Sequence, residues 1–243
     1  MPEDVNRSGQ EKGKRIAIAS LWEGLLAPDD IAYLERGGYG STANPGSRPL
    51  LVIADLQQNT IGPALPGGPL PHRGANEVLT QAVKLARVSR TNGIPTVFAC
   101  LSQRYGLNPY GFKIRRPVNT FAHNHEGTRL APELESVGAD LVLEHEHTSL
   151  FGGTALDGYL RGLGNPDTLL LAGISTAGVI RQTAVDAAAR FLKVVVVIDA
   201  CTDTIEISHR VAALELWMRY ADLMDVDSVS TYMAACSNWR SKS

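Results

Sequence analysis

A chain of 243 residues, 44% apolar and 20% charged, with a formal net charge of -2, reads as one ordinary globular domain with a sizeable core. The near-neutral balance gives no reason to expect nucleic acid or a membrane surface as partner, and no apolar run approaches the ~20 residues of a membrane span. The polar first residues lack a signal-peptide core. Cys100, Cys201 and Cys236 form neither a disulfide framework nor a CxxC pair, so a reducing cytoplasm is the expected location.

Residues 1–27 read as a flexible tail and 28–243 as a single domain. Residues 28–36 (PDDIAYLER) can form a short helix, and the Gly-rich stretch after it reads as loop. Leu50–Asp55 is a short apolar run ending in an acid, as in a strand buried on both faces. Apolar residues at helical spacing predict a helix over 74–92, closed by Asn92-Gly93, and a strand follows at Pro95–Cys100. The mixed segment 101–138 reads as a loop or lid. Further strands are expected at Leu141–His147, Thr168–Gly173 and Lys193–Asp199, with helices at Thr154–Leu163, Thr176–Arg190 and Ile205–Met224. An edge strand is expected near Val226–Val229. The alternation predicts a Rossmann-like, doubly wound α/β fold: a mostly parallel six-stranded sheet with helices on both faces. Ligands bind such sheets at the carboxyl ends of the strands, which directs attention to Asp55, Cys100, His145 to His147, and Ser175 to Val179.

Asp55 ends an apolar strand, where a carboxylate is costly unless paired or useful; the plain alternative is a turn cap. The EHEH run, Glu144 to His147, would put His145 and His147 on one face of a strand, either as solvated charges or with His145 as acid, base or anion partner. His123 and His125 repeat the HxH spacing, but two such pairs on separate segments are weak evidence for zinc, and no metal or cofactor is expected. The passage from strand to helix over Gly173–Ala187 offers unpaired N–H groups to an anion or oxyanion, through Ser175, Thr176, Gly178 and Val179. Cys100 could be a nucleophile, although free cysteines are more often small core residues, and Cys201 and Cys236 read the same way. Further residues that could touch a substrate are Gln57, His147, Phe151 and Arg181; Arg115 and Arg116 could bind a carboxylate or be solvated. His209 reads as a surface or satisfied helix residue.

The segments RPLLVIADLQ, SLFGGTALDGYL, AGISTAGVIRQTAVDAAAR and VVVVIDACTD…H, in that order, resemble the isochorismatase-like cysteine hydrolases. The upstream GGYG…RP stretch is most similar to the N-carbamoylsarcosine amidase branch. The resemblance runs from about residue 33 to the end. It implies a triad of Asp, Lys and Cys, of which Asp55 matches the Asp. His145 stands at the Lys position, four residues before Ser149, and Val179 stands at the Cys position. A valine cannot form a thioester. The resemblance also implies an oxyanion hole of backbone amides at Ser175 and Val179, with a cis peptide before Ser175, and a homodimer or homotetramer in which the 101–138 segment helps to close the pocket.

These readings point to a hydrolase-like enzyme without a thiol. Asp55 would be its acid if burial favours the protonated form, and His145 would replace the lysine, acting on a small carboxylated metabolite in specialised metabolism. Two alternatives remain open: an inactive pseudoenzyme or small-molecule binding protein, and an amide or carbamoyl hydrolase with a substitute nucleophile or metal. An unperturbed histidine is mostly neutral at pH 7, so restoring the thiol alone at Val179 is expected not to restore amidase chemistry.

Overall fold

The computed structural model describes residues 20–66, 68–105, 113–114 and 119–239. A 3-10 turn at Ser20–Trp22 leads to α1 (Pro28–Arg36), β1 (Pro49–Ala54), the one-turn helix α2 (Gln58–Ile61) and the long helix α3 (Ala75–Thr91). Then come β2 (Thr96–Leu101), a 3-10 turn at Glu126–Thr128, α4 (Pro132–Val137), β3 (Leu141–His145) and α5 (Leu156–Gly162). β4 (Thr168–Ile174) runs into a wide turn, Thr176–Ile180, that feeds α6 (Arg181–Ala189). β5 (Lys193–Thr202), α7 (Glu206–Arg219), β6 (Asp222–Met224) and α8 (Val226–Ala235) follow.

The strands form one sheet in the order β3-β2-β1-β4-β5-β6, and every neighbouring pair is parallel. Successive side chains of a strand face opposite ways, so an apolar strand feeds two cores. β1 does this with Leu51 and Ile53 on one side and Leu50, Val52 and Ala54 on the other. The first layer is closed by the apolar stripe of α3 (Val78, Ala82, Leu85, Ala86) and by Val226, Val229 and Met233 of α8. The second is closed by Leu156 and Leu160 of α5, Ala184 and Ala187 of α6, and Ala213 and Leu216 of α7. β3 lies at an edge and alternates instead, with Leu143 and His145 buried and Val142 and Glu144 exposed. Trp22 is also buried, its ring centroid 4.7 Å from that of Trp217. Among the described residues no helix is long and apolar enough to cross a membrane.

From β1 the chain winds outward through β2 to β3, and from β4 the other way through β5 to β6. The crevice between the carboxyl ends of β1 and β4 is therefore the topological switch point. These two strands approach unusually closely there. Gly173 has φ +121°, and a Cβ on it would lie 2.0 Å from the carbonyl oxygen of Ala54. Only glycine fits.

Several sequence expectations need correction. The 101–138 segment contains helix α4, begun by Pro132 at its first turn. The sixth strand is Asp222–Met224, and Val226–Val229 begins a helix instead, because the Asp225 side chain caps Ser228 N at 2.6 Å. The helix expected to reach Met224 accordingly stops at Arg219. The helix expected over 176–190 is broken at Gly178 (φ -96°, ψ -109°) into the wide turn and α6. β3 ends at His145, so His147 lies beyond the strand; His145 is buried and His147 exposed.

Candidate active site

Asp55 directly follows β1 and adopts φ +57°, a left-handed conformation that few side chains tolerate and that clusters at functional sites. Its backbone N–H stays in the sheet, donating to Ala99 O at 2.9 Å, while its carboxylate reaches across the ends of β2 and β3. Oδ1 accepts from Leu101 N at 3.0 Å and lies 2.8 Å from His145 Nε2. Both side chains are buried, at 2% exposure for His145 and 9% for Asp55. Among the described residues no group bonds Oδ2.

The protonation of this pair follows from its partners. His145 Nδ1 lies 2.7 Å from His147 O. A carbonyl only accepts, so Nδ1 carries hydrogen. The contact between Nε2 and Oδ1 then needs one more proton, held either as imidazolium and carboxylate or as imidazole and carboxylic acid. Burial, the largest single influence, pushes His145 down, but the charge and hydrogen bond of Asp55 and the His147 carbonyl outweigh it, and the net shift is upward. The geometry is that of one proton shared between the two side chains.

Gln57 keeps this arrangement rigid. Its Oε1 accepts from Leu101 N at 2.9 Å, and its Nε2 donates to Leu101 O at 3.1 Å and Thr128 O at 2.8 Å. The amide is thereby engaged with backbone. Cys100 and Cys201 are buried free thiols. Burial, then the carboxylates of Asp55 and Glu144, push the Cys100 thiol far up, and burial pushes Cys201 up to about 12. Neither is a thiolate at neutral pH.

Across the crevice, β4 ends in the Ser175–Ile180 turn. Ala54 pairs with Gly173, so Asp55 and Ser175 leave adjacent strands side by side. The Ile174–Ser175 peptide is cis. Ser175 O accepts from Gly178 N at 3.1 Å and Ile180 N at 3.3 Å, which closes the turn, and Val179 is buried in the second layer. Asp203 accepts from Ala177 N at 2.6 Å and fixes the turn from outside. Sequence reading passed over Asp203; its signal was the second acid of the DACTD run.

The remaining candidates lie around this centre. His147 lines a cleft with Ser102, Arg104, Glu144, Glu146, Gly152 and Gly153. Phe151 is covered by the Arg190 guanidinium, 4.1 Å above its ring. Arg181 donates to Ala177 O at 3.3 Å and pairs with Glu215 at 3.5 Å, on the outer side of the turn. His123 Nδ1 lies 3.1 Å from Ser102 Oγ and 3.3 Å from Glu144 Oε2. Both contacts use one nitrogen, so these three residues cannot relay a proton as a serine triad would. His125 Nδ1 accepts from Gly127 N at 3.0 Å. Among the described residues no three metal-binding side chains converge. Arg115 and Arg116 lie outside the described residues.

The buried Asp55–His145 pair and the Ser175–Ile180 turn both lie at the carboxyl ends of the parallel sheet. The model of the Isochorismatase domain family matches residues 49–228, and the chain belongs to that family. It is 29% identical over 192 residues to a maleamate amidohydrolase from Pseudomonas putida, covering 78% of this chain and 88% of that protein. It is 22% identical over 224 residues to an N-carbamoylsarcosine amidase from Arthrobacter, covering 90% and 83%. Among solved structures, the N-carbamoylsarcosine amidase of Thermoplasma acidophilum superposes with a TM-score of 0.62 at 27% identity, over 74% of this chain and 97% of that one. An isochorismatase-like hydrolase from Alkaliphilus metalliredigens does so at 0.66 and 24% identity, over 76% and 98%, a likeness of fold alone.

Proposed function

We propose that this protein is a hydrolase of the isochorismatase family that works without a covalent intermediate, using the proton shared by Asp55 and His145. The observation that carries the reading is the 2.8 Å contact between Asp55 Oδ1 and His145 Nε2, buried at the carboxyl ends of β1 and β3. The pair would donate its proton to the leaving-group atom as that atom's bond to carbon breaks. Water would add to the electron-poor carbon and return a proton to the pair. The backbone amides of Ser175 and Val179 would stabilise negative charge developing on a substrate oxygen.

Val179 supports the non-covalent route, since its side chain has no nucleophilic atom. The buried, protonated state of Cys100 and Cys201 speaks against a substitute thiol. The relatives support a small carboxylated substrate. Maleamate and N-carbamoylsarcosine, the compounds for which two of them are named, are small carboxylated molecules. A dimer or tetramer closing the pocket belongs to the same reading.

The test is a thermal-shift screen over isochorismate-like, carbamoyl and heteroaromatic acids, followed by product analysis of each stabilising ligand. The reading expects hydrolysis that Asp55→Asn abolishes, with solvent oxygen in the product and no adduct on the protein. A ligand that binds tightly yet is never turned over would make this a binding protein.

A further inference from the structure

We infer that His209 is a positioning residue: through Thr176 it fixes the Ser175–Ile180 turn, and so the direction of the Ser175 and Val179 backbone amides. The inference rests on the reading of that turn as an oxyanion site.

Thr176 is fully buried, and its hydroxyl has two partners. Oγ1 lies 3.0 Å from Thr202 O and 2.8 Å from His209 Nδ1. A hydroxyl carries one proton, and a carbonyl cannot donate. Both contacts are hydrogen bonds only if the hydroxyl donates to Thr202 O and His209 Nδ1–H donates to the hydroxyl. Were Nδ1 bare, the threonine proton would turn to the ring and leave two oxygens facing each other at 3.0 Å. Burial pushes the His209 ring down, against Asp203 and Glu206, which supports a neutral ring, and the two contacts of Thr176 Oγ1 put its hydrogen on Nδ1.

The chain His209 Nδ1–H to Thr176 Oγ1–H to Thr202 O thus runs in one direction. It grips the residue after Ser175. The next residue, Ala177, is held by Asp203 Oδ2 at 2.6 Å, whose Oδ1 accepts from Thr204 N at 2.7 Å. The grip is needed because Gly178, at ψ -109°, departs from helical geometry, so the turn lacks the regular ladder that would align its amides. Misplacing such donors by about 1 Å can cost on the order of 100-fold in rate.

A reporter thiol at the turn tests this. In Val179→Cys, acylation by p-nitrophenyl acetate passes through an oxyanion, whereas alkylation by iodoacetamide does not. Because Val179 is itself buried, both reactions at residue 179 are slowed alike by access, so the reporter is read as a ratio and is first compared with a small-molecule thiol. A higher ratio of acylation to alkylation at residue 179 establishes the oxyanion site; an equal ratio removes it, and the role of His209 with it. Adding His209→Gln is then expected to lower acylation about 10- to 100-fold while alkylation stays within about 3-fold. His209→Asn, whose amide nitrogen can replace Nδ1–H, should restore most of the loss. Thr176→Val, a near-isosteric change, should reproduce the loss even if His209→Gln folds poorly. If acylation survives Thr176→Val, or if acylation and alkylation fall together in a folded variant, His209 is not a positioning residue.

Discussion

Val179→Cys places sulfur in the turn after β4, and the structure changes the reason for expecting little amidase activity from it. An unperturbed histidine is no longer the reference, because the pair with Asp55 shifts His145 upward. The limit is instead the number of donors. An imidazolium has two N–H groups. Both are engaged, Nδ1 with His147 O at 2.7 Å and Nε2 with Asp55 at 2.8 Å. A lysine ammonium has three donors, so it could keep two partners and still face a thiolate. A hydrogen bond to a charged group contributes about 1.5–3 kcal/mol, so the absent donor corresponds to roughly 10- to 150-fold in rate. The double variant Val179→Cys with His145→Lys is therefore expected to exceed Val179→Cys by about that factor. The assay is hydrolysis of simple carbamoyl and amide substrates, with mass spectrometry for an acyl adduct on residue 179 and melting curves to verify folding. Equal rates for single and double variants, both folded, would refute the donor argument.

Iodoacetamide at pH 7.5 should leave Cys100 and Cys201 unlabelled in the native protein and label both after unfolding, because burial raises each thiol; native labelling that tracks loss of turnover and is blocked by ligand would make one of them catalytic. Phe191 follows the cap of α6 at φ +60° and is 96% exposed, with Leu192 N donating to Ala187 O at 3.1 Å in a motif that favours glycine. Phe191→Gly should stabilise the fold by about 1 kcal/mol, or about 2–4 °C in melting temperature; an unchanged or lower melting point would contradict this. Because His145 is raised when folded, its stabilising contribution is fully present below the ordinary value near 6.5 and is lost as pH rises through the folded value. The stability gap between wild type and His145→Gln, measured in urea, should therefore narrow from pH 6 to pH 9, and a constant gap would oppose the shared proton.

The sheet was legible because its signals are local. LLVIAD and VVVVID are continuous apolar runs, as strands covered on both faces require, and each is followed by chain that turns back over the sheet. The edges were less legible. Asp222–Met224 is three residues long and carries no pattern, and its strand character comes from pairing with Val195–Val197. Asp55 and His145 could be singled out by residue type and position. Their partnership spans 90 residues and depends on how far β3 extends. The second histidine of EHEH was misjudged for the same reason, since a period of two holds only while the strand lasts. The roles of Gln57 and His209 depend on backbone carbonyls, which a sequence does not display.

The central claim is that Asp55 and His145 share one transferable proton. Nitrogen-15 NMR of histidine-labelled protein, with His145 assigned through His145→Gln, reads this proton directly. The account predicts a protonated Nδ1 and an Nε2 shift between bare and protonated values, persisting above pH 7 and moving to that of a plain neutral ring in Asp55→Asn. A His145 that titrates near 6.5 in both wild type and Asp55→Asn would contradict it.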